Sequence, residues 1–459
     1  MEKVSIFHLN DLHSHLEMWP RISSYLLSKR EEAKHHNDTF FAFDLGDAVD
    51  REHPLMEATG GQAMTRLLNA AKIDGATIGN NEGIGSTKEQ LDQLYASASF
   101  PVILGNLVDI KTGKKPIWAV PFRLYRTNEG TTIGVLGVTV PLNVSYEPLG
   151  WHAEDPFRAV EKVLSVYKDL ADVLILLSHV GYSFDLEIAR RHPELDVVIG
   201  AHTHHVLPRG ERIGDTLIAA AGKFGEYVGE ITLELEKGHV LSSTAKVRAT
   251  GELPEATDEK KWTDQYELIG HQLLSEEEVT ILAETFQIDW NQCGELVQLG
   301  LQAMMDYSRT EAGMLNAGLF LRPLLSGIVT RNDLHEMLPH PMRIAKVSMS
   351  GERLLLLLQD IAAKKEELEH REIAGIGFRG KVMGKICFSG IQYEELSDTW
   401  FWNEKKIRPD QLYTFATVDH FIFADYFPLL HENEHTEIIF PYFLRDVLAG
   451  YLKKNHNMK

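Results

Sequence analysis

Five short polar segments in the first half of the chain each stand at the end of an apolar run, and together they hold the side chains of a divalent-cation centre. They are Asp11-Leu12-His13, Asp44-Leu45-Gly46-Asp47, Gly79-Asn80-Asn81-Glu82, Ser178-His179 and Gly200-Ala201-His202-Thr203-His204. Carboxylate, imidazole and amide donors suit Mn, Fe, Co, Zn or Mg rather than thiophilic ions. Asp47, exposed by the turn at Gly46, has two oxygens that can bridge cations about 3.5–4 Å apart, an arrangement that acidifies water for attack on a phosphoester. Asp11 and His13 lie two apart, as do His202 and His204, so each pair shares one face if the chain is extended. Asp44 has a second reading, as the acceptor that orients a metal-bound histidine from behind. Taken singly, each segment also reads as a turn, a cap or a packed histidine. Their order and number between residues 11 and 204 favour the metal centre.

The elements that position these segments are strands. Residues 4–9, 40–43, 75–78, 132–140, 173–177 and 197–199 are short, β-rich and apolar, and helix-like stretches separate them, the pattern of buried strands with covering helices. Each leads directly into a polar segment, where loops converge beyond the carboxyl ends of an α/β sheet. Residues 251–284, rich in Glu and Lys with apolar spacing at Trp262, Tyr266, Ile269 and Leu273, are predicted to form a connecting helix. Beyond residue 285 the pattern becomes α+β: a helix near 293–307, strands at 313–315 and 343–349, a leucine-rich helix at 351–361, and short strands and turns over 381–419.

A chain of 459 residues with 44% hydrophobic content can fill two cores, and two domains of roughly 150–250 residues are expected. The boundaries read as 1–250 and 285–459 around the connecting helix. With 46 Lys and Arg against 66 Asp and Glu, the net charge of −20 disfavours nucleic-acid polymers and anionic membranes, though a local cluster of cations still admits a small phosphate. Cys293 and Cys387, far apart in sequence, do not resemble a disulfide framework or a thiolate metal site, and a reducing compartment fits. The first candidate ligand comes at residue 11, leaving no room for a signal peptide, and no apolar run approaches a membrane span. The expected location is cytoplasmic.

The order of the five segments resembles the calcineurin-like metallophosphoesterase superfamily, and the C-terminal half narrows the resemblance to the 5'-nucleotidase family, which includes UDP-sugar hydrolases and 2',3'-cyclic nucleotide phosphodiesterases. His8-Leu9-Asn10-Asp11-Leu12-His13 looks like that family's first block and residues 200–204 like its last metal block. The resemblance implies an α/β metallophosphoesterase domain, a sheet sandwich with helices outside, joined to an α+β 5'-nucleotidase-type domain. It implies two divalent cations, one on Asp11, His13, Asp47 and His204, the other on Asp47, Asn80, His179 and His202. The ions lower the pKa of a shared water, and the resulting hydroxide attacks in line. The implied function is hydrolysis of nucleotides or related phosphomonoesters. The alternatives are a cyclic-nucleotide or dinucleotide phosphodiesterase, or a weakly catalytic metal- and nucleotide-binding sensor.

The sensor alternative arises from a departure. Family members usually carry Gly-Asn-His-Glu or Gly-Asn-His-Asp, whose histidine stabilises the transition state or helps the leaving group, and this chain has Asn81 there. An amide cannot deliver a proton, and losing a general acid costs about 10²- to 10⁴-fold; His15 and His205 are candidate substitutes. In the second domain the resemblance assigns nucleoside binding to Asn316, Arg322, Phe421 and Asp425, with His340 where an aromatic is usual. Tyr426 is a second candidate for stacking, although an aromatic in so apolar a stretch is commonly core. The family's two domains rotate to carry substrate to the metals, which implies that closure gates activity here too.

Overall fold

The computed structural model describes residues 1–373 and 377–455, which divide into two compact units, Met1–Gly270 and His271–Lys459.

The first unit is built on two facing sheets. One has seven strands in the order His239–Ala249, Tyr227–Glu236, Glu2–Leu9, Thr39–Asp44, Gly75–Ala76, Val102–Ile103 and Ala119–Val120. The other has six: Glu211–Ile213, Thr216–Ala219, Val197–Gly200, Val173–His179, Thr132–Thr139 and Phe122–Arg126. Strand alternation explains the layering. Val173, Ile175 and Leu177 pack with Val4, Ile6, Phe41 and Phe43 between the sheets. Leu174 and Leu176 face outward onto Val160, Val163, Leu164 and Ile188 of the helices Pro156–Tyr167 and Tyr182–Arg191. These strands, buried on both faces, read as continuous apolar runs for that reason.

Parallel pairing then brings the polar segments to one rim. Leu9 is in register with Asp44, and Asp44 with Ala76; across the other sheet Ser178 is in register with Gly200. Each fully buried Leu or Ile contributes about 1.5–3 kcal/mol, so the sandwich has ample stability to hold irregular loops at its edge.

The helix Glu259–Ser275 forms where a connecting helix is predicted, and the division between the units falls inside it, after Gly270. The second unit takes in the strand Glu278–Leu282, whose ladder partner is Gly327–Thr330. Its main sheet has five strands, in the order Ile386–Ser389, Gly313–Asn316, Leu412–Val418, Arg343–Ser350 and Thr436–Phe443. The helices Glu295–Ser308, Gly351–Ala363 and Leu444–Asn455 cover it around a core containing Leu301, Met304, Leu354, Leu358 and Leu448.

The cysteines correct an expectation. Cys293 and Cys387 form a disulfide, with Cα atoms 5.5 Å apart. Separation in sequence was a poor guide because Cys387 lies on a strand paired with Gly313–Asn316, while Cys293 leads into the helix packed against that same pair. The cysteines therefore give no support to a reducing compartment. Among the described residues no helix is long and apolar enough to cross a membrane.

Candidate metal centre

The polar rim is assembled by hydrogen bonds between loops distant in sequence. The His8 imidazole is buried and its pKa falls to about 4, so it stays neutral and its Nδ1 bonds Asn10 Oδ1 at 2.7 Å. Asn10 Nδ2 in turn donates to the Gly200 carbonyl at 2.6 Å, tying the two sheets together beside Asp11 and Ala201. The Asp11, His13 and Ser14 amides donate to the carbonyls of Gly46, Asp47 and Ala48, which zips the first loop to the second.

Glu82 joins the second loop to the third. Its carboxylate accepts from the backbone N–H groups of Asp47, Val49 and Gly79, each at 2.9 Å. The approach is so close that a Cβ on Gly79 would lie 2.0 Å from Asp47 Oδ1, and one on Gly46, at φ 84°, would lie 2.2 Å from the Gly79 nitrogen. The sequence reading assigns Glu82 no role of its own. A carboxylate three residues past the start of a helix, the spacing of a capping box, is the signal that identifies it.

Two groups of side chains result. Asp11, His13 and His204 each offer one donor atom, and these atoms lie within 4.8 Å of one another; Asp47, His179 and His202 do the same. Asp47 links the groups. Its Oδ2 is 3.5 Å from His179 Nε2 and 3.8 Å from His13 Nε2, while its Oδ1 accepts from the Asn81 backbone N–H at 2.7 Å. Asp11 Oδ1 lies 3.6 Å from His204 Nε2 and 3.9 Å from His179 Nε2. Two buried side-chain atoms of the quoted segments, His179 Nε2 and Asn80 Oδ1, have no hydrogen-bond partner. Orphaned donors and acceptors of this kind are costly without a ligand, and the donor set fits divalent cations.

The spacing argument for the Asp–His and His–His pairs needs correction. The strands end at Leu9 and Gly200, so neither pair is extended. Asp11, His13, Asp47, His202 and His204 all have positive φ, between 45° and 74°. Such residues cost about 1–3 kcal/mol each and cluster at functional sites. The left-handed turn also sends His202 and His204 to different groups. Asp44 does not orient a histidine: His179 Nδ1 bonds the Leu45 carbonyl at 2.7 Å, while Asp44 accepts from the Gly46 amide.

Electrostatics follow from burial. Burial raises the Asp11 pKa to about 7. Burial alone would raise Asp47 and lower His179, but each faces the other's opposite charge. Asp47 is held well below the usual range and His179 is raised to about 10. Without cations, His179 is thus an imidazolium beside a carboxylate at neutral pH, whereas a ligating imidazole must be neutral. Cation binding at pH 7 is expected to release one proton from His179 and part of one from Asp11. Apparent affinity should rise as pH climbs from about 7 towards 10, by close to one log unit per pH unit per proton released. Calorimetric titration with Mn²⁺ in buffers of different ionisation enthalpy measures this, and heats independent of buffer would contradict it.

The positions expected to hold a nucleoside are arranged less favourably. Asn316 is fully buried, with Nδ2 donating to the Met383 carbonyl at 2.7 Å and Oδ1 unpartnered. Arg322 is exposed and ion-paired to Glu336 at 2.8 Å. Phe421 is 0% exposed and packs edge-on to Phe427 at 5.1 Å, so it is a core residue and not a stacking platform. Asp425 is exposed, and Tyr426 is half-buried with the Arg371 guanidinium over its ring at 4.8 Å. His340 is buried between the Leu319 carbonyl and the Arg379 amide.

Residues 4–206 match the Calcineurin-like phosphoesterase family and residues 277–432 match the 5'-nucleotidase, C-terminal domain family. The metallophosphoesterase YunD of Bacillus subtilis is 39% identical over 98% of this chain and 99% of its own length. The chain belongs to the calcineurin-like metallophosphoesterases of 5'-nucleotidase type. It is a metal-dependent phosphohydrolase, and its family uses divalent metals. Human 5'-nucleotidase is 22% identical over 77% of the chain and 70% of its own length. In fold it is similar to the NAD nucleotidase of Haemophilus influenzae, with TM-score 0.66 and 16% identity over 99% of this chain and 97% of that one. It is also similar to a 5'-nucleotidase precursor from Thermus thermophilus, with TM-score 0.59 and 17% identity over 100% and 97%.

Proposed function

We propose that this phosphohydrolase acts on nucleotides or related phosphomonoesters through a pair of divalent cations, with Asp11, His13, Asp47 and His204 holding one and Asp47, Asn80, His179 and His202 the other. The observation that carries the reading is one Asp47 oxygen lying 3.5 Å from His179 Nε2 of its own group and 3.8 Å from His13 Nε2 of the other. When bound, such a pair acidifies a shared water and neutralises phosphoryl oxygens.

The protein's own work is orientation. The Leu45 carbonyl holds a proton on His179 Nδ1, which leaves Nε2 as the inward donor. The Asn81 backbone N–H occupies one Asp47 oxygen and leaves the other facing both groups. The His202 amide lies 3.1 and 3.3 Å from the two Asp11 oxygens and restrains that carboxylate. Asn81 Nδ2 is placed 2.9 Å from His13 Nδ1. Asn81 Oδ1 accepts from Asn80 Nδ2 at 3.2 Å, so the amide links His13 to Asn80. Asn81 then steadies a ligand and moves no proton itself.

The nucleotide class is supported by the names of the relatives, 5'-nucleotidase and NAD nucleotidase. Asn81 favours a second reading, a centre that turns over slowly and acts mainly in binding. A panel decides: Mn²⁺-loaded protein assayed on nucleoside monophosphates, a cyclic nucleotide, a dinucleotide and an activated aryl phosphate. Hydrolysis of the monophosphates is expected. Turnover confined to the cyclic or dinucleotide substrates would make it a phosphodiesterase, and two bound ions without any nucleotide turnover would favour the binding reading.

A further inference from the structure

A further loop reaches the first donor group without supplying any of its donors. The strand Thr216–Ala219 runs parallel to Val197–Gly200, so the turn that follows it, residues 222–225, emerges at the same rim. The Gly222 N–H donates to the His205 carbonyl and the Phe224 N–H to the Asp11 carbonyl, each at 2.9 Å. The turn is therefore tied to both loops that build the group, the one carrying Asp11 and His13 and the one carrying His204. It is also closely packed: a Cβ on Gly225 would lie 3.0 Å from the Leu12 side chain, and one on Gly222 would lie 2.9 Å from Val206.

Gly222, Phe224 and Gly225 have φ of 74°, 59° and 65°. Glycine adopts this backbone freely, whereas a bulky aromatic there is strained. What the Phe224 ring touches accounts for its presence. The ring meets the His13 imidazole edge-on, with centres 5.7 Å apart and planes at 74°. It lies against His15 with centres 4.0 Å apart, and the Lys223 ammonium rests 4.4 Å from its centre. Three neighbours thus restrict the His13 ring: the Asn81 amide at Nδ1, the His204 imidazole with centres 5.4 Å apart, and Phe224. Groups that orient a ligating imidazole govern cation affinity nearly as strongly as the ligands themselves.

We propose that Phe224 is a positioning residue for the first cation site. Its N–H fixes the loop at Asp11, its ring holds the His13 imidazole with Nε2 towards Asp47 and His204, and the strained backbone is retained for the sake of that contact. The inference rests on the proposed pair of cations. Phe224 acts through His13 and takes no part in the chemistry, so its effect belongs to one of the two ions and not to both.

The test titrates the full chain with Mn²⁺ by calorimetry and counts retained ions by elemental analysis after dialysis, with folding checked by circular dichroism. The proteins are the wild type, F224L, F224Y, N80A, which removes a donor of the second site alone, and F224L/N80A. F224L is expected to hold one ion roughly ten- to hundredfold more weakly and the other as in the wild type. F224Y, which restores the ring, is expected to recover most of that affinity. The double variant should weaken both ions, which places the effect of Phe224 on the first site. If F224L does not fold, F224G takes its place, because glycine suits φ 59° and keeps the N–H bond to Asp11. Wild-type affinity for both ions in a folded variant without the ring would overturn the proposal. So would equal weakening of the two ions, an F224Y no better than F224L, or a double variant that loses only the ion lost by N80A. A wild type that takes up fewer than two ions would overturn the centre itself and this inference with it, so the wild-type count separates the two failures.

Discussion

Asp47→Ala is expected to abolish phosphoester hydrolysis. The carboxylate is 2% exposed and lies within 3.8 Å of histidines from both donor groups, so its removal weakens both of the proposed cation sites at once. A dinuclear centre supplies several kcal/mol of charge stabilisation in the transition state. Losing ~4 kcal/mol of it is about a thousandfold in rate. The variant also leaves the His179 imidazolium without its buried counter-charge, so the His179 pKa should fall from about 10 and the proton release on metal binding should shrink. Steady-state kinetics with an activated aryl phosphate, together with elemental analysis, provide the check. A metal-free variant with undiminished turnover would refute the centre.

Asn81→His is expected to help esters with poor leaving groups far more than activated ones. The position is half-buried and adjoins the first donor group through the 2.9 Å contact to His13. An imidazole there can donate a proton to a departing alkoxide, a contribution worth about 10²- to 10⁴-fold, whereas a good leaving group needs none. The difference between the two substrate classes, read as a ratio of kcat/KM changes, isolates that role. The same substitution removes the amide from His13, so metal affinity should be followed in parallel. Equal effects on both classes, accompanied by metal loss, would mean that the position serves the ligand alone.

The resemblance to the 5'-nucleotidase family was legible because ligand chemistry belongs to residue type. Asp11, Asp47, Asn80, His179, His202 and His204 stand at strand ends that the hydropathy pattern marks clearly, and strands buried on both faces cannot be mistaken for amphipathic surface. The substrate positions were less legible. Phe421 has the right chemistry for stacking, but whether a ring faces solvent or core depends on what the neighbouring helix covers. The disulfide was missed for a related reason: Cys293 and Cys387 meet only because the helix that follows Cys293 packs on the strand that carries Cys387.

By itself the sequence determined the two-unit α/β and α+β organisation, the inventory of donors and the replacement of a histidine by Asn81, since each is a matter of side-chain type and periodicity. The division of the donors into two sets was implied by the family resemblance; only the tertiary structure decided how the sets are built. His202 and His204 part company through left-handed backbone, and Glu82 clamps two loops by accepting three amides. Those outcomes depend on ladder register between residues far apart in the chain, such as Leu9 beside Asp44 and Ser178 beside Gly200. Register is a property of the assembled sheets, and no local stretch of residues encodes it.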